Sequence, residues 1–290
     1  MFALLAFVWA TPAIAAKPAK KLPPPKPEEI SEVKAILRGA DLLVACEEGN
    51  VEKVRQLVKE GVDPNASRTS GANALLYATA GRHSNIVAVL LDAKADPNRT
   101  SAGLSPLFLA AENGDIETVK LLLRAGAGVN AKLHAVDRDL KPREGDTALI
   151  ATASPTGTTA VVKALLNAGA DVNATAENGK TAVMQAVASD NVAVLRALLE
   201  AKPKLSARMT DEDSEFDAIT LAVGKSNSEM VGMLIDAGAD PSVKMDDEVT
   251  LLEFAILSEQ PVVAARLRKA GLPEPSAQRI AALRKAATQQ

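Results

Sequence analysis

The chain holds 290 residues, of which 47% are hydrophobic and only 2% aromatic, with a formal charge of −3 and a pI near 5.6. A core with so few rings has to be built from Ala, Leu and Val, and a nearly balanced charge offers no basic face for nucleic acid. The single cysteine, Cys46, excludes an internal disulfide.

Residues 1–15 read as a secretory signal peptide. An apolar run from Phe2 to Ala10 is followed by Pro12 and the small-residue site Ala13-Ile14-Ala15, and the run is too short to span a bilayer. No Lys or Arg precedes it. Either the start lies upstream of Met1 or the signal is a weak one; the alternative reading is a frayed apolar N-terminus on a cytosolic protein. No cysteine follows the run, so a lipid-modified N-terminus of the bacterial lipoprotein kind is not expected. Residues 16–29, rich in Pro and Lys, read as an extended, solvated spacer. Residues 30–39 predict a helix with Ile30, Val33, Ile36 and Leu37 on one face, suited to cap a stack.

From 40 to 275 the chain repeats itself. The stretch DLLVACEEGNVEKVRQLVKEGVDPN at 41–65 and ANALLYATAGRHSNIVAVLLDAKADPN at 72–98 share one plan, about 33 residues apart. Such a period means a stack of like units. Seven copies fall at 40–67, 68–99, 100–131, 132–174, 175–207, 208–243 and 244–275. Each can be anchored on a small residue of an inner helix: Ala45, Ala78, Ala110, Thr152, Ala186, Ala222 and Ala255. Five places earlier stand Asn73, Ser105, Thr147, Thr181, Asp217 and Thr250, with only Ala40 breaking the rule. These residue types accept bonds from the free N–H groups of a first helical turn, so they predict six helix starts.

An outer helix follows in each copy. Val54, Val87, Val119, Val162, Leu195 and Val231 lead a pair of apolar residues three and four places on, which puts three apolar groups on one face. The fourth copy keeps this register with one extra residue in SPTGT. Gly61, Gly126, Gly169, Gly238 and Gly271 mark the stops, where the chain turns through a left-handed residue. Lys94 and Lys202 hold the same slot, and a side chain there carries a steric cost. At the far end Arg268 takes an otherwise apolar slot, and Ser276 opens a capping helix over 276–290 in which Ile280 and Leu283 can close the stack.

Caps, apolar pairs and glycine stops recurring together resemble the ankyrin repeat family, whose unit is a β-turn plus two antiparallel helices. The family's inner-helix motif Thr-Pro-Leu-His is matched most closely at Ser105-Pro106-Leu107-Phe108. Its His appears nowhere; the slot holds Leu43, Leu76, Phe108, Ile150, Met184, Thr220 and Glu253. In the family that His ties neighbouring units together, so its loss bears on rigidity between repeats. The resemblance implies an all-α ankyrin-repeat solenoid of about seven helix-turn-helix units, joined by β-hairpin-like loops and closed by helical caps. It also implies protein recognition without catalysis.

Catalytic signatures are lacking. There is no Gly-rich phosphate loop, no His-Glu-x-x-His and no Gly-x-Ser-x-Gly. Cys46 reads as a small buried thiol, since its slot is the second small residue of an inner helix. His83 reads as a surface turn residue. His134, near Asp137 and Asp139, offers too few rigid ligands for a metal. Glu47 and Glu48 point to different sides of a helix, which is wrong for sharing a proton. Asn65, Asn98 and Asn173 fit the N-glycosylation pattern, but Asn in that slot belongs to the repeat's own turn. No catalytic, cofactor or metal residue is assigned.

What remains is surface. The family binds partners through its hairpin tips and the exposed side of its inner helices. Carried onto this chain, those slots are Arg68, Thr69, Ser70, Arg99, Leu104, Glu112 and Asn113, then Glu177, Asn178 and Lys180. Asp211, Asp213, Phe216, Lys225, Asp247 and Glu248 continue the edge. The hairpin at 131–146 is about ten residues longer than its neighbours, which suits a binding element or disorder equally. Early tips carry Arg68 and Arg99 while late ones are acidic, a gradient that can orient a partner.

The expectation is a periplasmic or secreted, monomeric scaffold that binds a partner protein, with no cofactor, no nucleic acid and no membrane span once the signal is removed. Two alternatives stand beside it: an accessory to an envelope stress or redox enzyme such as a catalase, and a small enzyme using the 131–146 loop.

Overall fold

The structure, a computed structural model, describes residues 27–134, 143–211, 214–246 and 249–287. The expected signal peptide and most of the Pro/Lys spacer lie outside the described residues. The chain divides into two units, one ending at Leu37 and one beginning at Arg38.

In the first unit, the described residues form the opening of helix α1, Pro27–Glu47. The apolar side chains expected to cap the stack are instead exposed, Val33 by 56%, Ile36 by 68% and Leu37 by 60%. Nor is there a break between cap and inner helix near residue 39. Gly39 and Ala40 are both helical, so the expected cap and the inner helix of the first repeat belong to one element.

The second unit is a stack of helix pairs: α1 with α2 (Val51–Lys59), α3 (Ala74–Ala80) with α4 (Ser84–Asp92), and α5 (Pro106–Glu112) with α6 (Ile116–Arg124). Then come α7 (Ala148–Thr152) with α8 (Thr159–Asn167), α9 (Ala182–Ala188) with α10 (Val192–Glu200), and α11 (Ala218–Gly224) with α12 (Ser228–Asp236). The last pair is α13 (Leu251–Leu257) with α14 (Pro261–Lys269), followed by α15 (Ala277–Ala287). Inner helices α3, α5, α7, α9, α11 and α13 pack in succession, and so do the outer helices from α2 to α14. Hairpins join the pairs. Two are short antiparallel ribbons, β1 (Met209–Asp211) with β2 (Ser214–Phe216) and β3 (Lys244–Asp246) with β4 (Val249–Thr250). Earlier ones close on single bridges such as Ser67 with Asn73 and Lys132 with Thr147.

Local sequence accounts for the helix ends. Asn73, Ser105, Thr147, Thr181, Asp217 and Thr250 each cap an inner helix, their side chains accepting from a backbone N–H three residues on. In the last two, Thr220 and Glu253 reach back to the cap N–H. Both occupy the family's His slot, whose other occupants are buried apolar side chains. The outer helices have caps of their own, at Asn50, Asp115, Thr158, Asn191 and Asn227. In the fourth repeat the extra residue falls between the helices, and α7 is cut to 5 residues. There Gly157 comes so close to the Thr152 carbonyl that a Cβ would lie 1.5 Å from its oxygen.

All five stop glycines have positive φ, and Lys94 and Lys202 share that conformation at φ 70° and 51°. A second left-handed site recurs in the turn between helices, at Gly49, Arg82, Gly114, Asp190, Ser226 and Glu259. Glycine marks only two of these, which is why the sequence hides the rule.

Burial is complete along the seam. Val54, Val87, Val119, Val162, Leu195 and Val231 are fully buried with Ala78, Ala110, Ala186, Ala222 and Ala255. At the C-terminal end Ile280 and Leu283 of α15 are half-buried, and Ser276 caps the helix by accepting from the Arg279 N–H. Arg268 is held by Glu274 through two bonds of 2.7 and 2.8 Å.

Neighbouring repeats are tied by a ladder of asparagines. The side-chain oxygens of Asn65, Asn98, Asn130 and Asn173 accept from the backbone N–H of Asp96, Gly128, Asp171 and Lys204 in the next repeat, at 2.7–2.8 Å. Asn98 and Asn130 also donate to the carbonyls of Gly126 and Gly169. All three possible glycosylation sites, Asn65, Asn98 and Asn173, therefore engage their side chains in bonds between repeats. His83 is another tie. It was expected to be a surface turn residue but is half-buried, its ring filling space over Gly49 and Gly81, where a Cβ would come within 2.6 Å of it.

Candidate functional site

The residue just before each anchor faces the open side of the inner helices. Val44 is 44% exposed, and Tyr77, Leu109, Gln185, Leu221 and Phe254 are partly so, while Ala151 is only 3% exposed. A row of partly accessible, mainly apolar side chains thus runs across the inner helices and is interrupted at the fourth repeat. Hairpin residues flank it. Thr69 and Ser70 are exposed at the second tip, Glu177 at the fifth, and Lys225 at the end of α11.

Several predicted residues are partly engaged in the stack. Arg68 lies over the Tyr77 ring at 4.9 Å and donates to Glu47 at 3.2 Å. Arg99 donates to the Asn65 carbonyl and the Ser67 hydroxyl, which places it beside the asparagine ladder. The Asn178 side chain accepts from the Lys180 N–H, and its carbonyl accepts from the Thr210 N–H. Asn113 ends α5, and Phe216 pairs with Met209 across β1–β2. Asp211 closes β1 against Ser214. Asp213, Asp247 and Glu248 lie outside the described residues, as do Asp137 and Asp139.

Leu104, Glu112 and Lys180 converge on the enlarged fourth hairpin. Leu133 is buried there with Phe108 and Ala151, and Leu104 packs against them. The Leu133 N–H donates to the Asp146 carbonyl at 2.8 Å and the Gly145 N–H to the Leu133 carbonyl at 2.9 Å, so both legs of the hairpin are held. Arg143 sits 4.8 Å over the Phe108 ring and donates to Glu112 at 2.6 Å. Asp146 takes Lys180 at 3.0 Å on Oδ1 and 3.1 Å on Oδ2, of which only the second is a well-directed hydrogen bond. Burial pushes the Asp146 carboxyl above the ordinary carboxylate range, although Lys180 and Arg143 pull it down. Sequence reading passed over Arg143 and Asp146 because neither stands in a slot the repeat makes periodic.

Cys46 is buried, and its thiol is pushed up to about 12 by burial. His134 is exposed, with Nδ1 3.4 Å from Glu144. Among the described residues no group of three His, Cys, Asp or Glu is placed to hold a metal, and no helix is long and apolar enough to cross a membrane. A recess of about 620 Å³ beside α15 and a polar one of about 330 Å³ between Asn130 and Asn173 are shallow and gather no nucleophile with a base.

A stack of helix pairs with capped starts, left-handed stops and hairpins along one edge defines a repeat-type interaction module. The family model for ankyrin repeats in sets of three matches residues 42–133 and 131–213, together more than half the chain. The chain belongs to the ankyrin repeat family. It is similar to the ankyrin repeat and KH domain-containing protein mask-1 of Caenorhabditis elegans, with 26% identity over 72% of this chain and 9% of that protein. It resembles the mitochondrial disaggregase of Bos taurus, with 33% identity over 33% of this chain and 14% of that one. To the putative ankyrin repeat protein YahD of Escherichia coli it is 30% identical, over 31% of this chain and 46% of that one. The chain therefore spans less than half the length of each of these relatives.

Proposed function

We propose that this protein is a non-catalytic scaffold of the cell envelope or of the secreted fraction, monomeric, that binds a partner protein through its hairpin tips and inner-helix face. The observation that carries this reading is the row Val44, Tyr77, Leu109, Leu221 and Phe254, apolar side chains left accessible on helices whose opposite faces are fully buried. Apolar groups kept accessible beside polar tips are the usual composition of a binding surface. Ankyrin repeats are protein-interaction modules, which supports the same reading. Export rests on residues 1–15: cleavage after Ala15 would remove Trp9, the only tryptophan.

Affinity capture from envelope extract tests the reading. Tyr77→Ala with Phe254→Ala should weaken capture, and reversing Asp211, Asp213 and Asp247 to Lys should weaken it and lower its salt sensitivity. Reversing Lys53 and Lys120 on the outer helices should change little. Loss of capture with the outer-helix set alone would move the binding face to the other side. The mass of the exported chain tests the signal, since a soluble exported form that keeps Trp9 contradicts cleavage.

A further inference from the structure

Among the described residues, the most exposed large apolar side chains gather near the start of α1: Val33 at 56%, Ile36 at 68% and Leu37 at 60%. At about 3.6 residues per turn these positions share one side of the helix, while Glu28 and Ser31 fall on the other. Glu32 and Lys34 fall at the borders, and Glu29 stands one turn ahead of Val33, where the apolar side begins. The chain before the helix, outside the described residues, carries Lys17, Lys20, Lys21 and Lys26 and no Asp or Glu. From 17 to 37 five lysines meet three glutamates, a net charge of +2 in a chain whose total is −3.

We propose that this opening segment is a landing site for an anionic lipid surface, with Val33, Ile36 and Leu37 entering the boundary between headgroups and acyl chains and the four lysines drawn to the headgroup charge. An interfacial helix binds through its apolar face together with electrostatic attraction, and one weak signal alone gives only marginal attachment. Charge and area decide between occupants. A second copy would set one positive segment against another, and like charges repel. Its contact would also be small. Three part-exposed side chains offer at most about 200–300 Å² on each copy, whereas a stable pair buries roughly 1,200 Å² or more. A lipid surface asks for no matching pocket and supplies the opposite charge. Glu28 on the far side and Glu32 at the border keep their carboxylates from the face that enters.

Co-sedimentation of the full chain with vesicles tests this, using equal parts phosphatidylglycerol and phosphatidylcholine against phosphatidylcholine alone. The unmodified chain should bind the anionic vesicles about tenfold more strongly or better at about 0.05 M salt, and the preference should fade near about 0.5 M. Val33→Ser with Ile36→Ser and Leu37→Ser should lower binding to anionic vesicles about tenfold or more, with far-UV circular dichroism showing the helices retained. Changing Lys17, Lys20, Lys21 and Lys26 to Ser should bring the two vesicle types level, whereas Lys53→Ser with Lys120→Ser on the outer helices should change neither. Residues 1–15 are themselves apolar, so the triple variant is the decisive arm: binding that persists in it overturns the proposal. Equal binding of the unmodified chain to both vesicle types overturns it as well. So does a dimer in sedimentation velocity that the triple variant abolishes, which would assign the face to a second copy.

Discussion

Replacing Lys94 by Gly isolates a backbone term from every other contribution. Lys94 has φ 70° and an exposed side chain that makes no ion pair among the described residues. Its N–H donates to the Leu91 carbonyl at 3.0 Å, and Gly126, Gly169 and Gly238 bond in the same way to Leu123, Leu166 and Ile235. At those glycines an added Cβ would meet nothing within 4 Å, so the slot has room for a side chain and the cost lies in φ alone. A left-handed residue with a Cβ costs roughly 1–2 kcal/mol. The freer unfolded glycine offsets about 0.4–1 kcal/mol of that. Lys94→Gly should therefore stabilise by about 0.5–1 kcal/mol, and adding Lys202→Gly should roughly double the gain, since the two sites share no partner. Urea unfolding followed by far-UV circular dichroism measures it as a rise in midpoint at constant slope. A lower midpoint for Lys94→Gly would refute the reasoning, showing that the lysine stem contributes more than its backbone loses.

Asn98→Ala removes one accepted and one donated bond between repeats and should cost about 1–3 kcal/mol, read from the same unfolding curves, whereas Asn85→Ala on the outer helix should cost less. Cys46, with its thiol at about 12, is protonated at pH 8 and should react with a thiol reagent only after denaturation. For Glu253, burial pushes the carboxyl up, but the Thr250 N–H and hydroxyl and Arg279 bring it below the ordinary range. A lowered folded value means stability present above the unfolded carboxylate range and lost as pH falls through the folded one. Acidification should therefore loosen α15, which Arg279 joins to Glu253 at 3.0 Å, before the central repeats. Glu253→Gln should loosen it already at neutral pH, with exchange of α15 amides as the measure.

How much of this was legible beforehand depends on how local the cause is. Helix starts at Asn73, Ser105, Thr147, Thr181, Asp217 and Thr250 were open to reading because a cap bonds within its own first turn. Stops at Gly61 or Gly126, and even at the unusual Lys94, follow from a single residue's φ. The seam of Val and Ala follows from period alone. The left-handed turns at Arg82 and Ser226 were hidden because no residue type advertises them there.

The sequence by itself determined the family, the number of units, the starts of six inner helices and the stops of the outer ones, since each rests on residues within one repeat. Only the tertiary structure decided which groups meet across repeats: Asn98 with Gly128, His83 with Gly49, Arg143 with Glu112, Asp146 with Lys180. Those partners are about 30 residues apart and, the recurring asparagine aside, occupy slots that vary from copy to copy, so no period announces them. Packing the inner helices side by side brings them within bonding distance, and at the fourth repeat it also closes the face that the other repeats leave open.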